Sequence, residues 1–178
     1  TVLLETVLRT MRMGHHFTEG TADSNEVWVH VEVENQGKVI ASSGHTDENG
    51  AVDRWAHFLN AFVLDREGRR IDRRNVEDIF VPLYNHQIPP GAADSLHYSF
   101  RVPDDASGEL TVRVKALYRK FDQHFLEIVR EQPVNDLPIT VLGEDEATFA
   151  IGSGEGRRAQ VDTPTWMRWN DYGIGLFR

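Results

Sequence analysis

The middle of the chain alternates regularly between apolar and polar residues. In EVWVHVEVE, residues 26 to 34, the valines at alternate positions share one face, and Trp28, His30 and two glutamates share the other. A period of two predicts a half-buried strand of an antiparallel sheet. The NQG turn that follows makes KVIAS its expected hairpin partner.

Comparable segments recur along the chain, and Gly, Pro, Asn or Asp clusters separate most of them. Further strands are predicted at residues 55–65, 78–84, 95–103, 110–120 and 146–152, with a less regular one at residues 2–13. This number of short strands predicts an all-β domain over residues 1–151, an immunoglobulin-like two-sheet antiparallel sandwich. Pro82 lies inside one predicted strand and therefore indicates a sheet edge or a bulge.

Three segments depart from this alternation. Residues 120–132 space their apolar side chains at helical intervals and predict a short helix. Residues 152–163 are rich in glycine and charge and predict a linker. Residues 164–178 predict a C-terminal helical segment, because Thr163 and Pro164 form a helix start. Its aromatic residues are too apolar to stay in water, so we expect this helix to dock on the sandwich, on a partner chain or on a following domain.

Charge and composition exclude several functions. The formal net charge is -9, with 28 acidic against 19 basic residues, so general nucleic-acid binding is not expected. No apolar run approaches the ~20 residues that a membrane helix needs. The absence of cysteine excludes disulfides, thiolate zinc sites, a cysteine nucleophile and covalent haem attachment by this chain.

Histidines are the first candidates for chemistry. His15 and His16 are adjacent, and in an extended strand they would point to opposite sides, so one ion could not easily bind both. His86 lies in the YNHQIPPG loop and is freer to act as a ligand. His57 and His97 lie on apolar strands, where buried, hydrogen-bonded side chains are expected. No local zinc-binding spacing is present.

Oxygen ligands form a second candidate. In DENGAVD, the spacing of Asp47, Asn49 and Asp53 resembles a calcium-binding loop. The twelve-residue calcium loop is incomplete, because Gly50 follows Asn49 too early and no closing glutamate is present. A polar hairpin turn is the alternative interpretation.

Several strings occur in an order typical of one family: GHHFTEGT, then DENG, AHF, IPPGAADSLHYSFRVP, YRKF and DLPITVL. In these strings, over roughly residues 8 to 150, the chain resembles the non-haem C-terminal β-rich region of multihaem c-type cytochromes, often described as tetratricopeptide-repeat proteins. Members of that family carry Cys-x-x-Cys-His haem sites before this region and frequently helical repeats after it. The final WNDYGIGLFR is similar to the first helix of a tetratricopeptide repeat.

The resemblance implies a non-catalytic accessory domain of an electron-transfer protein. It implies a haem c-bearing partner, either a domain of the same parent protein or a separate cytochrome, and a periplasmic or extracellular location. His15, His16 or His86 would then lend a distal ligand to a haem, with His15 preferred because it lies nearest the preceding haem region.

Two other function classes stay open. A carbohydrate- or protein-binding sandwich would use exposed aromatic residues such as Trp28 and Trp55. A metal-dependent hydrolase is ranked last, since no ligand triad and no nucleophile motif emerge from the sequence.

Overall fold

The computed structural model describes residues 1–20, 23–131, 133–153, 155–158 and 163–178. Ten strands and two helices are present in these ranges. They are β1 (Val2–Arg9), β2 (Glu26–Asn35), β3 (Lys38–Ser43), β4 (His57–Phe58), β5 (Ala61–Leu64), β6 (Val81–Asn85), β7 (Ala93–Phe100), β8 (Glu109–Arg119), α1 (Gln123–Arg130), β9 (Thr140–Ala150), β10 (Gly156–Arg158) and α2 (Thr165–Phe177). The predicted β-rich class with antiparallel sheets and two helices is confirmed.

A large sheet forms the centre of the molecule. Its strand order is β10-β9-β8-β2-β3, and β4 also pairs with β2. All these pairings are antiparallel. Two further two-stranded sheets consist of β1 with β7 and of β5 with β6.

The sheet of β1 and β7 packs on one face of the large sheet. Val29, Val31 and Val33 of β2 meet Leu96 of β7 in a cluster of buried apolar side chains. Apolar burial of this kind stabilises the fold by roughly 25 cal/mol per Å² removed from water. The predicted shared face of the β2 valines is therefore the main core of the domain.

The opposite face of β2 is also covered at the beginning of the strand, which the alternating pattern does not predict. Trp28 is fully buried against Ala56 and Leu117, and its indole Nε1 donates to the Gly44 carbonyl at 2.9 Å. Gly44 has a φ of +78°, and a Cβ there would collide with the backbone of β2. The loop after β3 can therefore close over Trp28 only because residue 44 has no side chain.

The predicted strand at residues 55–65 is two short strands in the structure, β4 and β5. The buried Asn60 lies between them. Its Oδ1 accepts from the Val27 amide at 3.0 Å, and its Nδ2 donates to the Asn25 carbonyl at 2.8 Å. These bonds hold the chain against β2 at residue 60. After this residue the chain leaves β2 and forms β5, which pairs with β6. Pro82 lies in β6, opposite the register shift at Phe62 and Val63, as expected for an edge or bulge.

Both predicted helices are present. Asp122 caps α1 by accepting from the Phe125 amide at 2.7 Å. Helix α2 packs on β7 and β1 with Asp171 and Gly175 buried. Three of its aromatic residues, which the sequence predicts to dock, do not do so in this structure, since Trp166, Trp169 and Phe177 are 68%, 67% and 95% exposed. Within the predicted linker at 152–163, Gly156–Arg158 form β10, whereas residues 154 and 159–162 lie outside the described residues.

Candidate functional site

Three segments bring two histidines and an aspartate together. His57 belongs to β4 and lies opposite Val29 of β2. His86 follows β6, and its amide donates to the Asn60 carbonyl at 3.1 Å. Asp94 lies near the start of β7, opposite Leu8 of β1. Each side chain is therefore positioned by backbone pairing to the sheets.

The three side chains form a compact cluster. His57 Nε2 lies 3.2 Å from Asp94 Oδ2. The His57 and His86 rings are stacked, with centroids 4.9 Å apart and planes inclined by 24°. One ligand atom from each of the three residues can be chosen so that all lie within 4.8 Å of one another. No other group of three His, Cys, Asp or Glu residues in the described ranges meets this criterion.

Tyr84 forms one wall of the cluster. Its ring centroid lies 4.0 Å from that of His86, and its hydroxyl donates to the Phe58 carbonyl at 2.8 Å. Burial raises the pKa of Tyr84 to about 12, and the charge of Asp94 acts in the same direction. The phenol therefore stays protonated and keeps its hydrogen bond at neutral pH.

Burial and neighbouring charges shift the pKa values of His86 and Asp94, the two cluster residues beside His57. Desolvation lowers the pKa of His86, and the neighbouring His57 adds to the shift, although Asp94 opposes it. For Asp94, desolvation alone would raise the pKa. The hydrogen bond with His57 and the charges of His57, His86 and Arg178 outweigh it, so the pKa lies below its usual value. At neutral pH the cluster contains a neutral His86 and an ionised Asp94.

Helix α2 and the residue that follows it contact the segments that carry Asp94 and His86. Gly175 of α2 lies against Ser95 and the backbone of Asp94 so closely that a Cβ would be 2.9 Å from the Asp94 carbonyl carbon. Arg178, after the helix, donates from Nη2 to the Gln87 carbonyl at 2.6 Å. The helix therefore touches both sequence segments that carry His86 and Asp94.

The structure places His15 and His16 outside this cluster, in an exposed loop after β1. His15 is 63% exposed at its side chain, and its Nδ1 lies 2.8 Å from the His16 carbonyl oxygen. A carbonyl can only accept, so Nδ1 carries the proton and Nε2 keeps the lone pair in the neutral ring. Phe17 pairs with Ile88, so this loop runs beside the segment that follows His86.

Asp47 and Asp53 act as turn formers. Asp47 Oδ1 accepts from the amides of Asn49 and Ala51, both at 2.9 Å. Asp53 Oδ1 accepts from the Trp55 amide at 3.0 Å. These bonds agree with the polar hairpin interpretation, and the described structure adds no argument for calcium to the spacing of Asp47, Asn49 and Asp53.

Two expectations about individual side chains need correction. His97 is not buried: its side chain is 41% exposed and its Nε2 lies 2.9 Å from Glu5 Oε1, because β7 turns Leu96 inward and His97 outward. Trp28 is buried and cannot serve as a binding platform. Trp55 is 78% exposed, beside the Arg54 guanidinium 4.9 Å from its ring centre.

The sequence predicts only a structural role for His57 and does not point to Asp94. His57 and Asp94 are 37 residues apart and share no local spacing. The only signal was a histidine interrupting an apolar strand next to a loop that contains a second histidine. Strand pairing, which single-sequence patterns do not reveal, brings them together.

A groove of about 760 Å³ opens between β1 and the β8–β9 part of the large sheet. Apolar side chains line much of it, including Leu4, Leu8, Met13 and Phe17. The groove therefore gives the N-terminal part of the domain an apolar surface that continues toward the His15–His16 loop.

Fold and site together define a β-rich domain with two helices and a half-buried cluster of two histidines and one carboxylate. No protein-family model matches the chain, and no curated protein matches it. The interpretation of α2 as a tetratricopeptide helix therefore has no support. Among the described residues, neither helix is long and apolar enough to cross a membrane.

The fold is similar to that of a penta-haem cytochrome c552 from Thermochromatium tepidum. The TM-score is 0.55 and the sequence identity is 12%. The likeness covers 81% of this chain but only 35% of the cytochrome chain. It therefore shows a shared fold, over about one third of the length of that protein.

Proposed function

We propose that this chain is a non-catalytic accessory domain of a multihaem c-type electron-transfer protein. The observation that supports the proposal is the fold likeness, which extends over most of this chain and a minor part of a penta-haem cytochrome. The resemblance of the IPPGAADSLHYSFRVP segment to such proteins agrees with it. The chain has no cysteine, so the haem c would be attached to another domain or to a partner cytochrome.

The groove beneath β1 supports a docking role within this proposal. Met11 and Leu142 line the groove and are 59% and 46% exposed, and further apolar side chains lie beside them. Exposed apolar patches of this kind mark interaction sites in soluble proteins. In the proposal, this surface packs against the haem-bearing domain. The domain itself is a two-sheet sandwich of immunoglobulin type, and the protein is periplasmic or extracellular.

His15 is the preferred distal ligand in this proposal. Its ring is exposed, and its tautomer leaves Nε2 with a lone pair for an iron atom outside the chain. His16 is exposed beside it. His86 is less suited to an external haem, because its ring is packed between His57 and Tyr84.

The test is the product of the whole gene that encodes this chain, expressed with the machinery for haem c attachment. We expect haem c absorption from that product or from a cytochrome that forms a defined complex with it. A product without haem that also fails to bind multihaem cytochromes from the same organism would refute the proposal.

The ligand assignment is tested separately by electron paramagnetic resonance of the oxidised holoprotein. If His15 ligates a haem, His15→Gln converts one low-spin haem to a different spin or ligand state. His124→Gln, on the exposed face of α1, is the matched control and should leave every signal unchanged. Unchanged signals in His15→Gln, His16→Gln and His86→Gln alike would exclude a distal ligand from these positions.

A further inference from the structure

The cluster of His57, His86 and Asp94 contains a feature that packing alone does not explain. His86 Nδ1 is buried, and it has no hydrogen-bond partner among the described residues. A buried polar atom without a partner is unfavourable relative to a satisfied one, because it has lost its hydrogen bonds to water. The ring that carries this nitrogen lies in a cluster with another imidazole and a carboxylate.

The protonation states of the cluster suit a cation. Metal ions bind neutral imidazole and ionised carboxylate. Burial favours the neutral form of His86, whereas the net effect of its neighbours keeps Asp94 ionised. The hydrogen bond between His57 Nε2 and Asp94 Oδ2 holds two of the three donors together. A bound metal ion would take the place of the proton in this bond. The proton moves to the other ring nitrogen or to water, which leaves His57 Nε2 with a lone pair for the ion.

The donor set limits the kind of metal. Imidazole nitrogen suits zinc, copper, nickel and iron, whereas calcium and magnesium take oxygen ligands. We propose that His57, His86 and Asp94 form a binding site for a divalent transition-metal ion, represented by Zn²⁺ or Cu²⁺, with a further coordination position for water or another small ligand. The proposal concerns residues inside this domain and does not depend on a haem partner.

The geometry requires only small adjustments. Metal–ligand bonds of about 2.0–2.2 Å place the donor atoms of a tetrahedral site roughly 3.5 Å apart. His57 Nε2 and Asp94 Oδ2 are already 3.2 Å apart. The widest separation in the cluster, 4.8 Å at most, must shorten by about 1 Å, which rotation of the half-buried side chains can supply.

Surrounding groups keep the site in place. Tyr84 packs on the His86 ring and is itself fixed to the Phe58 carbonyl. Helix α2 packs through Gly175 on the backbone beside Asp94. Such outer contacts orient metal ligands and commonly change metal affinity when they are removed.

Isothermal titration with Zn²⁺ and with Cu²⁺, after treatment of the chain with a chelator, tests the proposal. We expect one ion per chain for the wild type and at least a tenfold loss of affinity in His86→Gln and in Asp94→Asn. His97→Gln is the matched control, because His97 of β7 also contacts a carboxylate, that of Glu5 on β1, but no second imidazole stacks on its ring among the described residues. Its affinity should equal that of the wild type.

A wild-type measurement keeps the test independent of the folding of variants. Cu²⁺ broadens the nuclear magnetic resonance signals of nearby groups, so substoichiometric Cu²⁺ should first broaden the imidazole signals of His57 and His86. Co²⁺ should give the strong visible absorption of a four- or five-coordinate site. Broadening centred on His15 and His16, no binding of either ion, or equal affinity in all variants would overturn the assignment.

Discussion

The contact between α2 and β7 can be tested with a single methyl group. In Gly175→Ala, the new Cβ would lie 2.8 Å from the Ser95 amide nitrogen and 2.9 Å from the Asp94 carbonyl carbon, and it would also meet Ser95 Oγ. The first two atoms belong to the backbone of β7 and cannot rotate away. The helix must therefore move outward, or β7 must shift.

The same helix contains its own control. Gly173 is exposed, and a Cβ there would meet no atom within 4 Å in the described structure. Alanine is favoured over glycine inside a helix by about 1 kcal/mol, and this gain applies to both positions. Overpacking costs about 1–3 kcal/mol and applies only at residue 175. We therefore expect Gly173→Ala to be neutral or stabilising and Gly175→Ala to be less stable than Gly173→Ala by about 1–3 kcal/mol.

Two measurements separate a local from a global effect. Urea unfolding followed by the fluorescence of the chain, which includes the buried Trp28, gives the free energy of unfolding. Hydrogen exchange followed by mass spectrometry gives the protection of the α2 amides. Gly175→Ala should lower the protection of α2 even where the large sheet is unchanged. Equal protection and equal unfolding free energies in the two variants would refute the packing argument.

Glu26 and His30, two ionisable side chains on β2, give further predictions. Burial raises the pKa of Glu26 despite the opposing charge of Arg119. Arg119→Leu removes the ion-pair partner of this buried carboxyl group. It should lower the free energy of urea unfolding by about 3–5 kcal/mol. The double variant with Glu26→Gln should recover part of that loss, and an equal or larger loss would contradict the assignment. Burial lowers the pKa of His30 below 6.5, with Lys115 and His45 adding to the shift and Glu32 opposing it. The unfolded chain therefore binds more protons near that pH, and stability should fall as the pH drops through 6.5. His30→Gln should make this decline shallower, and identical pH profiles by urea unfolding would exclude the effect.

Local sequence patterns predicted the strands well wherever one face is apolar and the neighbours are close in sequence. The period of two identified β2 and the start of its hairpin with β3, and helical spacing located α1. The sequence predicts that this strand begins at residue 146, whereas β9 begins at Thr140. Residues Thr140–Gly143 are exposed, so their side chains show little contrast between the two faces. Pairing with β8, rather than burial, extends that strand.

The candidate site was less accessible to the same reasoning. The sequence points to His86, because loop histidines are free to act, but it predicts a structural role for His57 and does not point to Asp94. Their proximity depends on β4 pairing with β2 and on β7 pairing with β1, two long-range contacts without a local signature. Trp28 was placed on the correct face, yet its burial depends on a loop that closes through Gly44.

The pairing of β1 with β7 also bears on the order in which the chain folds. Glu5 and His97, which contact each other across this pair, are 92 residues apart, and Arg9 pairs with Asp171 at a separation of 162 residues. Closing such long loops costs conformational entropy before any contact repays it, so topologies of this kind fold slowly. During synthesis on the ribosome, β1 would stay unpaired, with its apolar side exposed, until β7 had been synthesised. We expect refolding to show a slow phase in which the local β2–β3 hairpin is already protected, while the β1–β7 pair, the similarly distant β2–β8 pair and α2 are not.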